Sequence, residues 1–85
     1  MPRPYDLLQR MRNSKNGWRF RDLDRLYTGF GFESREGGSH CVYSHPEHPE
    51  LIATVTRSRT LAVGYIVHAL SLIDALVAKE GNHAP

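Results

Sequence analysis

Along the first third of the chain, apolar residues recur at helical intervals; after that the pattern changes to alternation. Pro4 suits a first helical turn, and Tyr5, Leu8 and Met11 follow it at the spacing of one helix face. "NSKNG" breaks that helix. "WRFRDLDRLYTGFGF" restarts the pattern, with Phe20, Leu23, Leu26 and Tyr27 on one side and arginines and aspartates on the other. Gly29 and Gly31 are expected to end this second helix, because glycine takes the left-handed cap conformation at little steric cost.

Residues 32–36 and 40–45 then flank "GGS", a hairpin signal between two short strands. "HPEHPE" reads as a loop, since its two prolines remove ladder donors from any central strand. In "LIATVT", residues 51–56, Leu51, Ala53 and Val55 alternate with Ile52, Thr54 and Thr56, which predicts a third strand. The last helix is expected over about residues 62–79. On its surface Gly64, His68, Ser71 and Ala75, with Asp74 beside them, form one polar stripe, opposite Val63, Ile66, Val67, Leu70, Ile73 and Leu76/Val77. A single polar stripe at a 3.6-residue period describes a helix laid on a core rather than one surrounded by lipid. The order helix, helix, strand, strand, strand, helix predicts an α+β fold, with helices on one face of a three-stranded antiparallel sheet.

Eighty-five residues with 40% hydrophobic content make one domain with enough apolar side chains for a core. The expected division is a helical N-terminal extension over residues 1–16, a core over 17–79 and a flexible tail over 80–85. One cysteine cannot close a disulfide within the chain, so Cys41 is expected as a small buried hydrophobe in a reducing compartment. The charged N-terminus lacks an apolar signal region, and a cytoplasmic location follows as the expectation, with no membrane partner.

The formal net charge is +2, unevenly spread. Residues 1–25 carry seven Arg/Lys against three Asp, while residues 26–85 carry four against six Asp/Glu. Nine of the eleven cations are arginine, the side chain that meets phosphate or carboxylate with a planar fork. A solvated helix surface is the plainer account of this bias; it permits nucleic-acid binding without demonstrating it.

"GGSHCVYSHPEHPE" crowds three histidines and the cysteine together and raises the question of zinc. His40 and Cys41 are neighbours on a strand, so their side chains face opposite ways and do not readily share an ion. His45 and His48 could meet in a loop, but two ligands without a third make a weak site; no metal and no cofactor are expected. His68, on the polar stripe, and His83, in the tail, receive no role. If Cys41 and Tyr43 are buried against the helices, His40 faces outward, and Phe32 as a core residue sends Glu33 and Arg35 outward too. A titratable base beside a fixed cation suits chemistry at a phosphodiester. Ser39 beside His40 is a poor nucleophilic pair, because no third, orienting acid is identifiable.

At "GFGFESREGGSHCVYSHP" the chain resembles the HicA-type toxins of bacterial toxin–antitoxin systems. The residues that carry the resemblance are Gly31-Phe32, Arg35 and Gly38-Ser39-His40, continued by "LIATVT" and by "GYIVHALSLI" in the last helix. It covers roughly residues 18–78 and is closest to members with a longer N-terminus. It implies a fold like a double-stranded-RNA-binding domain, metal-independent cleavage of mRNA by an endoribonuclease (an mRNA interferase), and a HicB-type antitoxin as partner. It also implies that His40 is the essential catalytic residue. Arg35 is then expected to hold the scissile phosphate, Ser39 to lie in the RNA-binding turn, and Arg57 and Arg59 to add positive charge. Proline and histidine are common in that family just after the third strand, whereas Val55-Thr56-Arg57 stand here. A non-catalytic RNA-binding or partner-binding module of the same fold is therefore the second expectation.

Overall fold

The computed structural model of the chain describes residues 3–81. The elements are α1 (Pro4–Asn13), α2 (Phe20–Gly29), β1 (Glu33–Gly37), β2 (His40–His45), β3 (His48–Thr56) and α3 (Val63–Gly81). The strands form one antiparallel sheet in the order β1-β2-β3, so the expected α+β architecture and element order are those observed. Among the described residues, no helix is long and apolar enough to cross a membrane.

The sheet owes its orientation to alternation. Cys41, Tyr43 and His45 on β2 and Leu51, Ala53 and Val55 on β3 are buried. Their neighbours His40, Ile52 and Thr54 are exposed, because successive strand residues face opposite ways. The helices close the buried side with Leu7, Leu8 and Met11 of α1, Leu23, Leu26 and Tyr27 of α2, and Ile66, Ala69, Leu70, Ile73 and Leu76 of α3. α1 is therefore part of the core rather than an appendage, and Arg12 binds Asp74 through both guanidinium nitrogens to fasten it to α3.

Several expectations change in detail. Tyr5 lies on the surface, edge-on to Phe30 at 5.2 Å, and Leu7 takes the buried place. On α3, Val63, Val67 and Val77 are exposed while Ala69 and Leu72 are buried. The hydrophobic arc is wider than a single helix contact, and packing against the sheet selects from it. Gly29 is the last residue of α2 and has no positive φ; a side chain there would meet Pro4 Cγ at 2.6 Å, so close helix approach explains it. Gly31, with φ +92°, is the residue that needs glycine's freedom. β3 begins at His48, three residues earlier than expected, and includes Pro49. An edge strand tolerates that proline because only one of its sides carries ladder bonds. α3 runs to Gly81, taking in Glu80; the rest of the expected tail, His83 included, lies outside the described residues.

Two tyrosines dominate the centre, stacked at 4.8 Å between ring centroids. Tyr43 donates its hydroxyl proton to Asp24 Oδ1 at 2.6 Å, whereas Tyr27 Oη is buried with no hydrogen-bond partner among the described residues. A buried hydroxyl left unpaired is costly, so Tyr27→Phe is expected to raise stability by up to about 1 kcal/mol, read from the urea midpoint. Both phenols are held above their ordinary 10.0, Tyr27 by burial and Tyr43 by burial first and then by the Asp24 hydrogen bond. The unfolded chain then releases these protons first. Stability is fully present below about pH 10 and falls above it, by up to about 1.4 kcal/mol per pH unit for each phenol. Denaturant titrations on either side of pH 10 measure that slope.

Candidate functional site

The β1–β2 hairpin carries the first group. Its register sets Gly37 opposite His40 and Arg35 opposite Val42, so Arg35 and His40 lie diagonally on the same open face. Both are exposed, as expected from parity. Ser39 belongs to the turn rather than to a strand, and this changes its relation to His40: Ser39 Oγ lies 3.2 Å from His40 Nδ1. A serine hydroxyl both donates and accepts, so it can hold the ring whichever way the imidazole is protonated. The other ring nitrogen, Nε2, is left for a proton transfer. No hydrogen bond joins His40 to a carboxylate among the described residues, which leaves Ser39 without the third member of a nucleophilic triad.

Arg57 and Arg59 are placed differently from Arg35. Alternation beyond Val55 turns Arg57 toward the helix side of the sheet, where its guanidinium lies over the Phe20 ring at 4.8 Å from the centroid. Glu36, paired in register with the inward-facing Cys41, forms an ion pair with it. The cation–π contact and the ion pair hold Arg57 at the rim rather than beside His40. There it joins Arg19, Arg21, Arg25 and Arg59 around an open groove of roughly 620 Å³, in which Asp22 is the one acid. Asp22 is already engaged, accepting from the Arg19 backbone N–H at 2.9 Å to cap α2.

The groove and His40 occupy the same end of the sheet. Thr56, the residue before Arg57, is the register partner of His40, and the Arg57 N–H donates to Ser39 O at 3.0 Å. The groove and the Ser39-His40 turn thus lie at the same end of the sheet, with Arg57 on the helix side and His40 on the open face. Arg19, Arg21 and Arg25 were visible in the sequence as the basic excess of residues 1–25. Their common orientation was not, because it depends on how α2 meets the end of β3.

At the opposite end of the sheet the other histidines converge. His45 and His48 are register partners across the Pro46-Glu47 turn, with ring centroids 5.2 Å apart. His48 Nε2 lies 3.5 Å from Glu80 Oε2 at the end of α3. As expected, Cys41 is buried and faces away from His40, so those two share nothing. His68 stands apart on α3, with Nε2 3.4 Å from the Ile52 carbonyl.

No protein-family model matches the chain, and no curated protein or solved structure matches it significantly.

Proposed function

We propose that this protein is an endoribonuclease that uses His40 as its acid–base group, the toxin component of a bacterial toxin–antitoxin pair. The observation that carries the reading is that an arginine-lined groove and the Ser39-His40 turn share one end of the sheet, where the Arg57 backbone N–H bonds Ser39 O. Arginine forks suit phosphate oxygens, and an open groove admits a phosphodiester backbone. The hairpin resemblance to HicA-type toxins, at Arg35 and Gly38-Ser39-His40, points the same way.

The chemistry follows from a single imidazole. His40 Nε2 takes the proton of a ribose 2′-hydroxyl as O2′ attacks the adjacent phosphorus. The P–O5′ bond breaks, and the departing O5′ receives a proton from water or from the imidazolium, leaving a 2′,3′-cyclic phosphate and a 5′-hydroxyl. Arg35, on the same face, neutralises charge on the phosphate oxygens. With one histidine serving both transfers, turnover is modest. No metal takes part in these steps.

A non-catalytic RNA-binding module is the second reading, favoured because no carboxylate among the described residues is hydrogen-bonded to His40. Incubating purified protein with RNA separates the two: the enzyme shortens the RNA with time, and a binder only retards it on a gel. A HicB-type antitoxin fits the first reading as an acidic surface that covers the hairpin and competes with RNA for Arg35, Arg57 and Arg59.

A further inference from the structure

We propose that His45, Glu47, His48 and Glu80 form a binding site for a divalent transition-metal ion, zinc foremost, at the end of the sheet remote from His40. One ligand atom from each of the four side chains lies within 4.8 Å of every other. Around a tetrahedral zinc, nitrogen and oxygen donors stand roughly 3.4 Å apart, given metal–ligand bonds near 2.1 Å. His48 Nε2 and Glu80 Oε2, at 3.5 Å, already have that spacing. The remaining pairs, all within 4.8 Å, would close toward that spacing on binding.

The fold makes the convergence a consequence of register. The register shifts after Ser44, whose partner is Ile52, and this irregularity sets His45 opposite His48 across a two-residue turn. The last turn of α3 brings Glu80 beside them, and Glu47 rises from the turn itself. Three elements thus supply two neutral nitrogen donors and two carboxylates, a set that suits zinc better than the oxygen-only shells of calcium or magnesium.

His45 is the decisive member. It is the one polar residue in the buried set of the described chain, 5% exposed, with its ring edge-on to Phe32 at 5.2 Å. An apolar side chain would fill such a place more favourably. The Nδ1 atom accepts the Glu47 backbone N–H at 3.2 Å, so its lone pair faces the turn, and it would bind an ion by giving up that bond. Its other edge is fixed against Gly31, where an added Cβ would stand 3.1 Å from Nε2. The ring is thus buried and held in place beside the turn that carries Glu47 and His48. A bound ion would clip the end of α3 to the β2–β3 turn, a structural role separate from the chemistry at His40.

The test uses the whole chain, stripped with a chelator and titrated with zinc chloride by calorimetry, with RNA left out. The expected result is one saturable equivalent per chain, and a Tm raised on the order of 10 °C at a hundredfold excess over Kd. Cobalt(II) in place of zinc should give the intense visible bands of a tetrahedral centre. Glu80→Gln and His48→Ala, both at half-exposed or exposed positions, should each weaken zinc at least tenfold while leaving the metal-free Tm nearly unchanged. His40→Ala and His68→Ala should bind zinc as the unaltered chain does. Absence of saturable binding, or binding indifferent to both Glu80→Gln and His48→Ala, would overturn the site and leave His48–Glu80 as a surface ion pair.

Discussion

His40→Ala should lower RNA cleavage by on the order of 10²–10⁴-fold, the range a positioned acid–base group supplies, and should release a bacterial host from growth arrest. The fold should survive, with Tm within a few degrees. His40 is exposed on the open face, and among the described residues its only side-chain hydrogen bond is the 3.2 Å contact with Ser39. Such a residue contributes little packing. Ser39→Ala should give a smaller loss of cleavage, because it removes the hydroxyl that orients the ring but keeps the ring. Cys41→Ser offers the contrast: it adds a hydroxyl at a buried position, so it should lower Tm without acting on the chemistry directly. A His40→Ala protein that still arrests growth would remove the catalytic assignment.

Converting Arg21, Arg25 and Arg59 together to alanine should weaken RNA binding by roughly a hundredfold at low salt. Each lost phosphate contact should also reduce the log–log salt slope by about 0.7 for single-stranded RNA. These three line the groove and are exposed, and none of them forms an ion pair among the described residues. Their removal is therefore a change of field rather than of packing. Arg57 is a different case, since alanine there would also free Glu36 and uncover Phe20. Arg57→Ala should lower both affinity and stability, and the triple variant only affinity. Filter binding across a salt series, beside thermal melts, distinguishes the two.

The His40 prediction rests on features that were legible in the sequence for a physical reason. Alternation at Cys41/Tyr43 and at Leu51/Ala53/Val55 determines which face of the sheet is buried, and the face of His40 and Arg35 follows without further information. The register that makes them diagonal neighbours was not legible: β1 runs to Gly37, so the turn is Gly38-Ser39 and not the expected "GGS". Other features were hidden because they depend on distant contacts. Tyr5 and Leu7 both satisfy a helical repeat, and only the position of Phe30 and the rest of the core selects Leu7 for burial. The early start of β3 depends on its lying at the sheet edge, where Pro49 does no harm. Arg57 follows the alternation of β3, yet nothing local tells that Phe20 and Glu36 wait on the inner side. His48 and Glu80 are separated by most of α3 and the whole of β3, so no spacing rule joins them.

A ribonuclease centred on His40 is recognised by the ends it leaves on RNA. Purified protein should be incubated in excess EDTA with an RNA oligonucleotide and with copies in which single nucleotides are 2′-deoxy, and the fragments weighed by mass spectrometry. The account predicts 2′,3′-cyclic phosphate and 5′-hydroxyl ends from the all-RNA strand, and no cleavage where the attacking 2′-hydroxyl is missing. Cleavage that persists 3′ of a 2′-deoxy nucleotide, or RNA that stays whole while bound, would contradict it.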